Sequence, residues 1–143
     1  MYPTEYIQFL IHFHGDYDYF ECHEILEEYW KTKPRGNRDH YLVGLIQIAV
    51  SLYHQRRANW NGSTKMMKSA ITILEKSGVP LQRLGINQVQ LLSLLNERLQ
   101  SIHKKRTFCT FIFTLIRFIV REAVHRVMSK TKPLLERLEC YPR

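Results

Sequence analysis

A histidine set among glutamates is the part of this sequence that could do chemistry. His23 lies in residues 21–28, which contain four glutamates and are flanked by aromatic residues. On a helix, residues four apart lie on the same face, so His23 and Glu27 can hydrogen-bond or bind one cation together. Glu24 and Glu28 form a second pair of this kind. The mixture of acids and aromatic rings indicates a polar site at the edge of a hydrophobic core.

Several kinds of site are compatible with these side chains, and His23, Glu24 and Glu27 are the catalytic candidates. His23, Glu27 and His54 could bind a divalent metal, with Glu24 or Glu28 as the base of a metal-assisted hydrolase. A metal-free small-ligand enzyme could use His23 as acid or base, oriented by Glu27. A purely structural alternative is an interhelical hydrogen-bond network. A zinc protease is not indicated, because the second histidine of the HExxH motif is missing.

A neutral polar stripe runs along the next helical segment, which is otherwise apolar. Its members are spaced by 4, 3, 4 and 3 residues: His40, Gly44, Gln47, Ser51 and His54. A solvated stripe normally carries Lys and Glu, and a glycine inside a helix costs about 1 kcal/mol relative to alanine. We therefore expect the stripe to face another helix, with Gly44 allowing close approach. The histidine and glutamate border of the preceding helix is the expected partner.

The elements that must position these residues are helices, because strand-like alternation is absent. Caps and breakers predict an all-α, single-domain bundle of five helices with short connections. The predicted helices span about residues 4–14, 18–33, 39–57, 61 or 63 to 78, and 87–103, with Asn61 or Ser63 as the cap of the fourth. Beside the catalytic candidates, the predicted binding residues are Glu28, Trp30, Gln47, Ser51, His54 and Asn59.

The positive charge of the chain is concentrated at its C-terminal end. The net charge of the 143 residues is +8. Residues 1–103 hold 11 Lys and Arg against 10 Asp and Glu, a net of +1, and residues 104–143 hold 10 against 3, a net of +7. We therefore divide the chain into a bundle domain, 1–104, and a basic, amphipathic C-terminal segment, 105–143. The bundle has no strong nucleic-acid signal, whereas the segment could contact RNA, a membrane surface or a partner, or pack as a sixth helix.

Cysteine usage and hydropathy predict a cytoplasmic protein. The three cysteines are widely spaced and form no CxxC pair, so neither a disulfide framework nor a zinc ribbon is indicated. No secretory signal is visible at the N-terminus. The apolar runs at residues 41–53 and 108–120 are shorter than the roughly 20 residues of a spanning helix. The sequence identifies no partner, and a homodimer is one alternative.

Three motifs together resemble a known family. They are Phe20-x-x-His23-Glu24-x-x-Glu27-x-x-Trp30, then Gly44-Leu45-Ile46-Gln47-x-Ala49-x-x-x-x-His54, then Asn59-x-x-Gly62. This pattern resembles the small all-helical family catalogued as domain of unknown function 309, over about residues 5–103. The resemblance implies an all-helical fold and no established activity. We therefore expect an uncharacterised domain with a polar site, most simply a binding or scaffolding module. The alternatives are a metal-assisted hydrolase or small-ligand enzyme, and an adaptor with a basic tail.

Overall fold

Asparagine and aspartate side chains start three of the helices. In the computed structural model, which describes residues 2–105, Asp18 Oδ1 accepts a hydrogen bond from the Glu21 backbone N–H at 3.0 Å. Asn59 and Asn87 accept equivalent bonds from Gly62 and Gln90, each at 3.1 Å. Each bond satisfies a backbone donor that has no partner within the first helical turn. We expected Asn61 or Ser63 to start the fourth helix, but Asn59 does so.

The described residues form six α-helices and no strand, which confirms the all-α prediction. The helices are α1 (Thr4–Ile11), α2 (Tyr19–Lys31), α3 (His40–Arg56), α4 (Trp60–Glu75), α5 (Gly78–Arg83) and α6 (Gln88–His103). A π-helical turn (His12–Asp16) follows α1, and a 3₁₀ turn (Arg35–Asn37) precedes α3. The expected count of five helices is wrong because α5 lies where a loop was predicted. Apart from Lys105, the basic C-terminal segment lies outside the described residues.

Helix α3 is the centre of the bundle. It packs most extensively on α4 and also on α2, while α6 packs on α4 and α1 packs on α2. Its apolar side chains are buried around most of its circumference, as at Leu42, Ile48 and Leu52, which are each at most 2% exposed. Within residues 2–105, no helix combines the length and the hydropathy that crossing a bilayer requires.

The neutral stripe of α3 faces α4. A Cβ atom on Gly44 would lie 2.7 Å from Leu74 Cγ. About two turns further along α3, Ser51 and Ser63 each donate a 2.8 Å hydrogen bond to the other's carbonyl oxygen. Gly44 and Ser51 therefore lie against a helix, as the composition of the stripe indicated, whereas His40 at the start of the stripe is exposed. At these positions the partner is α4, which corrects the expectation that the histidine and glutamate border of α2 lies there.

Candidate functional site

The His23 imidazole lies between two carboxylates on the surface of α2. Its Nε2 atom is 2.7 Å from Glu27 Oε2, and its Nδ1 atom is 3.2 Å from Glu24 Oε1. Lys31, one turn beyond Glu27, pairs with the other oxygen of that carboxylate. The side chains of His23, Glu24 and Glu27 are 27%, 44% and 29% exposed, so solvent and a ligand can reach all three.

Both imidazole nitrogens of His23 lie within hydrogen-bonding distance of a carboxylate oxygen. A neutral imidazole has one N–H donor and one lone pair, so it can donate to only one of the two carboxylates. The doubly protonated ring can donate to both, Nε2–H to Glu27 and Nδ1–H to Glu24. The hydrogen bond from Lys31 is the main cause that holds the pKa of Glu27 below its ordinary value, and the charges of Lys31 and His23 act in the same direction against burial.

His54 does not join this cluster. Among the described residues, the potential metal-ligand atoms that lie within 4.8 Å of one another come from His23, Glu24 and Glu27. The structure therefore brings Glu24, and not His54, beside His23 and Glu27. His54 Nδ1 is instead 3.3 Å from Asn59 Nδ2. The imidazole and the Asn59 amide thus pack together at the turn between α3 and α4.

Gly62 lies close to both Asn59, which begins the third motif, and His54, which ends the second. A Cβ atom at Gly62 would lie 2.8 Å from Asn59 Nδ2 and 3.1 Å from His54 Cδ2. Because Asn59 also caps α4 through its Oδ1 atom, the Asn59-x-x-Gly62 spacing holds the cap and the imidazole in one place. The contacts of His54 and Asn59, two of the predicted binding residues, therefore stabilise the turn between α3 and α4.

The remaining predicted binding residues are dispersed. Ser51 is fully buried against Ser63, and Glu28 is exposed. Trp30 is partly buried against the core, with the Arg38 guanidinium 4.5 Å from the ring centroid. The structure therefore brings none of the three into the His23 cluster.

Gln47 and Trp30 each bury a polar atom that has no hydrogen-bond partner among the residues that the structure describes. These atoms are Gln47 Oε1 and Trp30 Nε1.

We expect Gln47→Leu to leave the free energy of unfolding unchanged or to raise it by about 1 kcal/mol, because it removes a buried acceptor that has no donor. Urea denaturation measures this change. As a control, Ser51→Leu enlarges a fully buried, hydrogen-bonded side chain and should be clearly destabilising. A loss of 1 kcal/mol or more in Gln47→Leu would show that a donor reaches this oxygen.

A surface centred on an exposed aromatic ring was not predicted. Phe20 is 54% exposed. Its ring centroid is 6.1 Å from that of His23 and 6.1 Å from that of Tyr53 on α3. Glu24 Oε1 is 3.2 Å from His23 Nδ1, and the Arg57 guanidinium is 4.8 Å from the Tyr53 centroid. We call Phe20, His23, Glu24, Tyr53 and Arg57 the Phe20 surface. One feature of the sequence could have indicated this surface: Phe20 is the first residue of the motif that contains His23.

A buried polar centre was also missed. Arg98 on α6 is 0% exposed, and its Nη1 atom donates to Gln55 Oε1 at 3.4 Å. Burial is the main cause that lowers the pKa of Arg98 to about 10, partly offset by Tyr19. The signal was the spacing of Leu91, Leu95, Arg98 and Ile102, which places the arginine in an apolar helix face.

Comparison with known proteins identifies the domain that carries these features. Residues 6–66 match the family described as "Domain of unknown function (DUF309)". The chain carries a DUF309 domain. The matched region runs from α1 into α4 and contains the three motifs from Phe20 to Gly62, which confirms the resemblance there. It ends before α5 and α6, so it is shorter than the expected range of about 5–103.

A second comparison finds a curated relative whose name states no activity. The chain is 43% identical over 115 residues to "Uncharacterized protein YpuF" of Bacillus subtilis (strain 168). The aligned part covers 80% of this chain and 66% of that protein, so the chain spans about two thirds of its relative's length. No solved structure matches the chain. The DUF309 description and the relative's name state no activity, so function must be argued from the geometry.

Proposed function

We propose that the DUF309 domain is a binding module that contacts a partner protein through the Phe20 surface. The observation that carries this proposal is the exposure of Phe20, a large aromatic side chain that is 54% exposed between two other rings. An aromatic ring surrounded by charged side chains is the usual anatomy of a binding hot spot. A binding or scaffolding role also fits the His23 cluster, because the His23 imidazole already pairs with the Glu24 and Glu27 carboxylates.

The aromatic rings of this domain suggest what the partner supplies. Three rings each have an arginine guanidinium within 5 Å of the centroid: Trp30 with Arg38, Tyr19 with Arg56, and Tyr53 with Arg57. In the part of the chain that the structure describes, Phe20 has no such cation. A guanidinium over an aromatic face contributes about 0.5–2 kcal/mol, depending on how far it is desolvated. An arginine of the partner could occupy this position.

The charge of α2 favours the same partner. This helix carries four glutamates and one lysine, a net charge of −3 when His23 is neutral. Glu24, whose side chain is 44% exposed, lies beside the ring that contacts Phe20. A carboxylate at this place can accept a charge-assisted hydrogen bond from the guanidinium that covers the ring. The ligand of the Phe20 surface is therefore an arginine-containing segment of another protein.

Peptide binding tests the proposal. A fluorescein-labelled peptide of alternating arginine and glycine is titrated with the full chain, and anisotropy is recorded. We expect Phe20→Ala to weaken binding about tenfold, which corresponds to about 1.4 kcal/mol, and Glu24→Gln to weaken it severalfold. Val89→Ala is the matched control, because Val89 is 77% exposed on α6.

Two further outcomes decide the proposal. A lysine–glycine peptide of the same length should bind more weakly than the arginine peptide, since lysine lacks the planar guanidinium that stacks on a ring. Equal affinity of the wild type, Phe20→Ala and Val89→Ala proteins would refute the role of Phe20. Thermal melts of the variants verify that each is folded.

A divalent cation is the second candidate ligand, and the His23 cluster favours it. One imidazole nitrogen and two carboxylate oxygens lie within 4.8 Å of one another, and a zinc site commonly uses three such protein ligands. The metal would take the place of a proton at one imidazole nitrogen, because a single ion binds only one nitrogen of the ring. Calorimetric titration with zinc chloride tests it: binding that His23→Ala abolishes and His54→Ala retains supports this cluster. Binding lost equally in both variants would instead favour the His23, Glu27 and His54 set.

Several further predictions from the sequence remain predictions. These are the cytoplasmic location, a homodimer, the domain division between residues 104 and 105, and the alternative of a small-ligand enzyme. The adaptor alternative depends on RNA or membrane contacts of the C-terminal segment, and residues 106–143 lie outside those that the structure describes.

A further inference from the structure

A second potential site lies away from the Phe20 surface, where the start of α3 meets the end of α4 and the short helix α5. It is a cleft of about 470 Å³. Pockets that bind small organic ligands have volumes of about 300–1,000 Å³. The charged residues that line it come from three places: Lys33, Arg38 and Asp39 before α3, Lys76 after α4, and Arg83 at the end of α5.

The charges of this cleft are strongly unbalanced. Four cationic side chains line it against one carboxylate, and that carboxylate, Asp39, already pairs with Lys33. Among the residues whose side chains the structure describes, neither Lys76 nor Arg83 has an ion-pair partner. Arg38 uses its Nε–H to bind the Lys33 carbonyl oxygen at 3.1 Å, which fixes the position of its guanidinium. The net charge of the lining, with histidine neutral, is +3.

The neutral groups in the cleft add donors. The Tyr41 hydroxyl is a donor at neutral pH, and burial, followed by the charge of Asp39, raises its pKa still further. The cleft also includes the start of α3, a 17-residue helix whose N-cap residue, Asp39, makes no side-chain capping hydrogen bond. Backbone N–H groups at a helix start favour negative charge, which reinforces the effect of the basic side chains.

We propose that this cleft binds a small anionic ligand through a phosphate group. Arginine and lysine are the side chains that bind phosphate oxygens most strongly, Arg83 through a planar pair of donors and Lys76 as a mobile point charge. The volume exceeds that of a single phosphate ion, so the ligand carries the phosphate on a larger group. This site goes beyond the proposed function, because it shares no residue with the Phe20 surface.

Calorimetric titration of the full chain with sodium pyrophosphate tests the site. Lys76→Gln and Arg83→Gln should each weaken binding about threefold or more, and the double variant about tenfold. Lys68→Gln is the matched control. Lys68 is an exposed lysine of α4, the helix that ends just before Lys76, and it does not line the cleft. It should bind pyrophosphate like the wild type. Orthophosphate and a nucleoside diphosphate, used as further probes, separate recognition of a bare ion from recognition of a phosphate ester.

The design separates this site from other basic residues and from the Phe20 surface. Nonspecific binding of pyrophosphate to the basic C-terminal segment would persist in the double variant. The difference in affinity between the wild type and the double variant therefore measures binding in the cleft. Phe20→Ala should leave pyrophosphate affinity unchanged. The proposal is overturned if the double variant binds as tightly as the wild type, or if the wild type shows no binding at about 1 mM pyrophosphate.

Discussion

Gly44→Val is expected to lower the free energy of unfolding by about 3 kcal/mol. Gly44 is buried where α3 packs most extensively on α4, and a Cβ atom there would lie 2.7 Å from both Leu74 Cγ and Leu74 Cδ2. Leu74 is 0% exposed, so its side chain has no solvent-filled space into which it can move. The two helices must separate or Leu74 must leave its rotamer. Urea denaturation followed by circular dichroism measures the loss.

Two comparisons isolate the contact. Gly36→Val is the matched control, because a Cβ atom at Gly36 would meet no atom within 4 Å. It should change stability by no more than about 0.5 kcal/mol. Leu74→Ala creates space opposite residue 44, so the combined variant should be more stable than the sum of the two single losses predicts. Stability of Gly44→Val equal to the wild type would mean that α3 and α4 are not in close contact at this position.

The existence of this contact could be predicted from sequence, but the identity of the partner could not. Neutral side chains at helical spacing, with a glycine among them, indicate a helix face that is shielded from water. They carry no information about which helix shields it. The reciprocal bonds between Ser51 and Ser63 depend on residues 12 positions apart, and nothing in either local sequence specifies that pairing.

The same distinction applies to the candidate site. His23, Glu24 and Glu27 lie within five residues of one helix, so helical geometry alone places their side chains together. His54 lies on another helix, and its position depends on how α3 and α4 are joined at Asn59. Helix α5 was missed because Pro80 suggested a loop, although proline is tolerated in the first turn of a helix, where its missing N–H needs no partner.

Arg98→Ala is expected to destabilise the protein by about 3–5 kcal/mol, the range for removing a large buried side chain. Arg98 is 0% exposed, and its removal leaves both a cavity and an unpaired Gln55 Oε1 atom. Gln55 is itself 2% exposed, so water cannot readily replace the lost donor. Arg35→Ala is the matched control, because Arg35 is exposed in the 3₁₀ turn before α3 and should change stability by at most about 0.5 kcal/mol.

Arg98→Met separates packing from hydrogen bonding. Methionine fills most of the space and removes a charge whose burial disfavours the folded state, as the lowered pKa of Arg98 indicates. That electrostatic cost is fully present below pH 10 and declines only at higher pH, so at neutral pH Arg98→Met should retain more stability than Arg98→Ala. Its remaining loss includes the cost of leaving the Gln55 oxygen unpaired. Replacing both residues, Arg98→Met with Gln55→Met, removes donor and acceptor together and should recover part of that loss. If the double variant is no more stable than Arg98→Met, Gln55 is not the group that Arg98 stabilises.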